Sequence, residues 1–334
     1  MRVHKGSASR PLLILVHGLG MTERSWIDPY QEKMGRGRIP YDYLLVDLSH
    51  PPLFRWNNKP EGFTTSTPWR YLSHRPSPFW NDLMEKGYNL LTWTQGDPNG
   101  PINSAVQELR MITEESRRIF GDKKAIFLCH SRGGLVVREY LRRYEDSRRE
   151  VAAVIFLATP HHGSRVAELA ESVGKVIILL EKFLPQRSQG EVRRFYGQWA
   201  DIFRTGAVDE LRPQSSFILR LRQWEQTEKE MGIRYINLLG VSTCFNKIYR
   251  VVSDSPFEVK EVFSLLNSLP RLLFPSLLPD EWVDGRGDGL VARTRGRLNW
   301  IPPRDQREVP VNHASILIDP GVRKLVLEKL EEVL

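Results

Sequence analysis

Cysteine is nearly absent: only Cys129 and Cys244 occur in 334 residues, too few for the disulfide framework of a small secreted domain. Cys129 closes an apolar run where a disulfide would be awkward, so both thiols are expected to be reduced. No apolar run approaches the roughly 20 residues that a membrane-spanning helix needs. The short Leu12–Val16 stretch behind the basic Met1–Arg10 segment cannot serve as a signal-peptide core. A soluble, cytoplasmic protein is therefore expected. Long blocks of one charge are also missing. The net charge of +8 comes from scattered arginines, and the densest pairs, Arg117-Arg118, Arg142-Arg143 and Arg148-Arg149, fall where helix faces or ends are expected. No zinc-finger pattern or RNA-binding aromatic signature accompanies them, so nucleic acid is not an expected partner. Neither an internal repeat nor a low-complexity tract is present.

What is present is a globular composition, 41% hydrophobic and 26% charged with nine Trp and 14 Phe, which can bury a large core. The length suits one catalytic core carrying insertions. Short Leu-rich or β-branched runs alternate with helical patterns, the signature of a parallel sheet covered by helices on both faces. The expected strands are 12–17, 43–47, 89–94, 125–129, 151–158, 234–241 and 309–311, with helices over 102–120, 134–144 and 322–334. Two segments interrupt this rhythm. The first carries Val166, Leu169, Val173, Ile177 and Leu180 at helical spacing, followed by Phe195, Trp199 and Phe203. The second carries Leu265, Leu266, Leu272 and Leu273 among prolines.

The strongest chemical signal is the run Ala125-Ile-Phe-Leu-Cys-His-Ser-Arg-Gly-Gly134, an apolar strand that turns at once into a helix. This is the pattern of a nucleophile elbow, in which a sharp strand-to-helix turn lifts a serine hydroxyl clear of the sheet and sets backbone N–H groups beside it. Ser131 is the candidate nucleophile. Cys129 stands where the usual pattern has its first glycine; as a thiol at the end of an apolar strand it reads as an inert small hydrophobe. Alone, Ser131 could equally be a helix N-cap. A second run, Leu12-Leu-Ile-Leu-Val-His-Gly-Leu-Gly20, ends a buried strand in a loop able to aim an amide at a developing oxyanion. The amides of Leu19 and Arg132 are the candidate oxyanion donors, and His17 is read as bonding the loop. His161 and His162 lack acidic or cysteine partners at metal-site spacing, so no metal is expected.

After the strand 151–158 comes Ala158-Thr-Pro-His-His-Gly-Ser164, and here the chain resembles the α/β-hydrolase lipases and esterases. Gly287-Asp-Gly-Leu-Val291 is similar to the Asp-Gly-Leu-Val run of bacterial triacylglycerol lipases, and Asn312-His313 to their Asn-His. The segment 209–221 is similar to a stretch of GPI-inositol-deacylase-like proteins. The resemblance implies an α/β-hydrolase fold, a mostly parallel sheet flanked by helices with an inserted helical cap. It assigns Ser131 as nucleophile, His313 as base and Asp288 as the acid that orients it, in the order Ser, Asp, His. Asp284, four positions before Asp288, is the competing acid. Ser315 stands where those lipases carry a calcium-binding Asp, so a calcium site is not carried over, and no cofactor is implied.

The expected partition is a core over 1–164 and 233–334, a helical cap over 165–232 and a lid-like insertion over 245–283. The expected activity is carboxylic-ester hydrolysis through an acyl-enzyme on a lipophilic ester, with peripheral contact to a lipid surface compatible with the Leu-rich segment. Two alternatives stay open on the same residues: an amidase, thioesterase or polyester depolymerase, and a catalytically silent interaction module.

Overall fold

The computed structural model describes residues 1–29, 32, 45–46, 77–168, 205–242, 248–254, 257–263, 279–283 and 285–334. Seven strands form the main sheet: β1 (Arg2–His4), β2 (Leu12–Val16), β4 (Asn89–Thr92), β5 (Ala125–His130), β6 (Val151–Leu157), β7 (Arg234–Gly240) and β10 (Gln306–Val309). Their order is β1-β4-β2-β5-β6-β7-β10. Every pairing is parallel except that of β1, which lies antiparallel on β4. The central strands are buried along their whole length because helices cover both faces, which is why they read as continuous apolar runs.

Side chains alternate between the two faces. Leu13 and Leu15 point into one cluster, with Trp26, Phe79, Leu83, Val322 and Val326. Ile14 and Val16 point into the other, with Val106, Leu109, Leu135 and Tyr140. The first face is covered by α1 (Phe79–Glu85) and α5 (Pro320–Glu331), the second by α2 (Ile102–Phe120), α3 (Arg132–Arg143) and α4 (Ser216–Glu230). Helix α2 buries Ile102, Ala105, Val106, Leu109 and Thr113, a stripe at three- and four-residue spacing, and stops at Gly121, whose φ of 71° suits glycine. Helix α5 begins at Asp319, whose carboxylate accepts from the Gly321 and Val322 N–H groups, with Pro320 in the first turn.

Three features depart from the sequence expectation. Strand β1 was not anticipated. The expected strand over 43–47 appears as β3 (Leu45–Val46), but it pairs outside the main sheet with a hairpin of β8 (Ile248–Asp254) and β9 (Phe257–Phe263). The described start of the 245–283 insertion is thus β-structure. Helix α4, grouped with the cap on sequence, buries Phe217, Ile218 and Leu221 in the second-face cluster, and its Glu228 takes hydrogen bonds from the buried Arg138 of α3 at 2.9 and 2.6 Å. The apolar stripe of 169–204 and the Leu-rich 264–278 lie outside the described residues.

Candidate active site

All the candidate residues gather at the carboxyl edge of the sheet, where open α/β sheets form their crevices. Ser131 follows β5 directly and adopts φ 53° and ψ −127°. Its side chain makes no cap hydrogen bond to α3, which removes the N-cap reading. Instead the hydroxyl lies 2.9 Å from His313 Nε2, and His313 Nδ1 lies 2.9 Å from Asp288 Oδ2. All three residues are buried. The proton of the imidazole therefore sits on Nδ1, donated to the carboxylate, and Nε2 is left to accept from the serine.

Each member is held by its own backbone. The Ser131 N–H donates to the Leu157 carbonyl of β6 at 2.9 Å. Asp288 Oδ1 accepts from the N–H groups of Leu290 and Val291 at 2.9 and 2.7 Å, an Asx turn that leaves only Oδ2 for the histidine. The Asp288 carbonyl in turn accepts the His313 N–H at 2.9 Å. Asn312 Oδ1 accepts from Ala314 and Ser315 N–H and caps the turn that carries His313. Asp284 lies outside the described residues; the carboxylate against His313 is that of Asp288.

Four glycines permit these approaches. A Cβ on Gly133 would lie 2.6 Å from the Val16 carbonyl oxygen and 2.7 Å from that of His17; one on Gly134 would strike Thr159. One on Gly240 would lie 2.8 Å from Asp288 Cβ, and one on Gly18 would lie 3.1 Å from Ser131 Cβ. The loop bearing Leu19 therefore passes beside Ser131, and the Arg132 N–H opens α3 immediately after it.

Sequence reasoning missed His130, whose Nε2–H donates to the His313 carbonyl at 3.0 Å, with the two rings 5.0 Å apart. It also missed Gly240 and Gln95. The signal for His130 was its place inside the elbow itself. The other two carry no local signal. Burial pushes the Cys129 thiol well above its ordinary range, so it is no competing nucleophile. His161 is buried edge-on to Phe156 and near Arg138, whereas His162 reaches Glu225 at 2.8 Å. The two rings point to different partners. Among the described residues no cluster of three His, Cys, Asp or Glu side chains has metal-site geometry, and no helix is long and apolar enough to cross a membrane.

A family model described as "Alpha/beta hydrolase family" matches residues 13–322. Among solved structures, the mature Bacillus licheniformis lipase BlEst2 is similar with a TM-score of 0.57 at 18% identity, covering 99% of this chain and 96% of that one. A metagenomic carboxyl esterase, MGS0156, is similar with a TM-score of 0.51 at 16% identity, covering 98% and 78%. At these identities the likeness is one of fold. No curated protein matches the sequence.

Proposed function

Since this chain belongs to the α/β-hydrolase family, we propose that it is a serine carboxylic-ester hydrolase working through an acyl-enzyme on Ser131. The observation that carries the reading is the continuous line of hydrogen bonds, 2.9 Å from Ser131 Oγ to His313 Nε2 and 2.9 Å from His313 Nδ1 to Asp288.

In this mechanism Ser131 Oγ attacks the ester carbonyl carbon while its proton passes to His313 Nε2. Asp288 stabilises the imidazolium. The amides of Leu19 and Arg132 receive the oxyanion of the tetrahedral intermediate, which collapses by breaking the bond to the alkoxy oxygen as His313 returns the proton to it. Water, deprotonated by the same histidine, then releases the acid. The two similar structures above are a lipase and a carboxyl esterase, and an ester substrate with a lipophilic acyl chain is the class we assign here. Each methylene that a pocket buries adds about 0.8 kcal/mol, so activity should climb with chain length until the pocket is full.

A p-nitrophenyl ester series from acetate to palmitate tests substrate class. Ser131→Ala should lower hydrolysis by several orders of magnitude while keeping the fold, and a fluorophosphonate should label Ser131. Labelling elsewhere, or full activity in Ser131→Ala, overturns the assignment.

A further inference from the structure

Arg132 is fully buried, yet no carboxylate among the described residues hydrogen-bonds its guanidinium. Nη1 donates to Gln95 Oε1 at 2.9 Å, Nη2 donates to the Gly100 carbonyl at 2.6 Å, and Nε has no partner among the described residues. Glu210, Asp97 and Glu108 favour its charge from a greater distance, although burial pulls it down to about 10. The group remains a cation at neutral pH. Burying a guanidinium without a bonded counter-ion is costly, and an apolar side chain would fill the same space more cheaply. Simple packing therefore leaves the choice of arginine unexplained.

The bonds of Arg132 lead back to the other side of the site. The Gln95 N–H donates to His17 Nε2 at 3.1 Å, which fixes the imidazole proton on Nδ1, and Nδ1–H donates to the Gly18 carbonyl at 3.0 Å. That carbonyl belongs to the peptide whose N–H is Leu19's. In a planar trans peptide C=O and N–H point in opposite directions, so holding the Gly18 oxygen aims the Leu19 N–H. Arg132 shares the 95–101 loop with other holds: Glu108 accepts from the Gly96 N–H at 3.0 Å, Glu210 accepts from the Ile102 N–H at 2.8 Å, and the Pro98 carbonyl accepts from Gly20 at 3.0 Å.

We propose that the Arg132 side chain and Gln95 are positioning residues that, through neutral His17, aim the Leu19 amide at the oxyanion. One residue then supplies an oxyanion donor from its backbone and sets the direction of the second from its side chain. The inference rests on the ester-hydrolase reading of Leu19 and Arg132 as donors.

The test combines kinetics with two readouts that need no activity. Arg132→Met and Gln95→Leu should lower kcat about tenfold to a hundredfold, less than outright loss of a donor, with KM unchanged, and Gln95→Leu, which strips the buried guanidinium of a bond, should also lower the unfolding midpoint. Gln95→Glu keeps an acceptor for Arg132 and should recover most of the rate. Amide exchange at Leu19 should quicken in Arg132→Met and Gln95→Leu, and the wild-type ¹⁵N spectrum should find His17 as the Nδ1–H tautomer at pH 7. Wild-type kcat with unchanged Leu19 exchange overturns the proposal, as does a loss confined to KM or an Nε2–H tautomer. If the wild type cleaves no ester while tautomer and exchange behave as stated, the ester-hydrolase reading fails and the positioning scaffold stands. Should Arg132→Met fail to fold, the two Gln95 variants and the wild-type spectrum decide.

Discussion

Asp288→Asn changes one atom, and the surroundings dictate how the new amide must sit. Oδ1 accepts two backbone N–H groups, from Leu290 at 2.9 Å and Val291 at 2.7 Å, while Oδ2 accepts the His313 Nδ1–H at 2.9 Å. Asparagine has only one acceptor oxygen. If it faces the histidine, its NH2 confronts two amide donors in a buried turn, and the unmade bonds cost about 1–3 kcal/mol each. If it keeps the two amides, no backbone bond is lost and the NH2 faces Nδ1. The second arrangement wins by a few kcal/mol. It forces the imidazole proton onto Nε2, which then points at Ser131 Oγ and cannot accept its proton. Turnover should fall by roughly three to four orders of magnitude, as for the buried acid of serine-protease triads, with the unfolding midpoint nearly preserved. Steady-state hydrolysis of a p-nitrophenyl ester reads the first effect, and the ¹⁵N shifts of His313 read the tautomer. Turnover within about tenfold of wild type would refute the reasoning. So would a large loss with the proton still on Nδ1. Asp284→Asn should leave turnover close to wild type, because the His313 Nδ1–H already has its acceptor in Asp288.

Acid should unfold this protein early. Burial holds His17 down to about 4, and holds His130 and His161 well below their ordinary 6.5, so the unfolded chain binds more protons as pH falls. Their contribution is fully present above pH 6.5 and is lost as the pH falls below it, for His17 on the way down to about 4. From pH 7 to 5 His17 alone should remove about 2 kcal/mol, with His130 and His161 acting in the same direction and Glu281, whose carboxyl burial pushes up, opposing them in part; a urea midpoint unchanged at pH 5 contradicts this. Gly133→Ala sets a methyl against the Val16 and His17 carbonyls and should destabilise by about 1–3 kcal/mol, whereas Gly206→Ala, with open space around it, should be near neutral; equal midpoints for the two variants would show that the elbow contact does not matter.

The turn that carries Ser131 and the loop that carries Leu19 were legible because each is a contiguous run in which an apolar strand passes abruptly into small residues. Asp288 was legible through its Gly-Leu-Val sequel, which the structure uses directly: Leu290 and Val291 supply the amides that tie down Oδ1. The bond from His130 to the His313 carbonyl spans 183 positions, and that from Arg132 to Gln95 spans 37, so neither leaves a local pattern. Gly240 looks like any strand glycine until Asp288 is placed against it. Strand β1 is three residues of mixed polarity, Arg-Val-His, with no alternation long enough to detect. The packing of helix α4 was not legible for a related reason: Phe217, Ile218 and Leu221 would bury one face on a cap or on the sheet, and the amphipathic pattern does not say which.

Backbone strain in this fold is concentrated where its side chains converge. Among the described residues the only non-glycine residues with positive φ are Ser131 at 53° and Ala158 at 54°, and such conformations cost about 1–3 kcal/mol each. They sit at the carboxyl ends of the paired strands β5 and β6. Neither could persist without being held, and both are held from the next strand: the Ser131 N–H donates to the Leu157 carbonyl and the Ala158 N–H to the Leu238 carbonyl, each at 2.9 Å. Gly133 and Gly134 then let α3 settle against β2 and against Phe156 and Thr159 at the end of β6, so the turn cannot relax without parting the helix from both strands. The strained serine is thus fixed by the most buried part of the sheet, while His313 and Asp288 hang on turns beyond β10 and β7. Distance between Ser131 Oγ and His313 Nε2 consequently depends on the His313 turn, which Asn312 caps and His130 anchors, rather than on any freedom in the elbow.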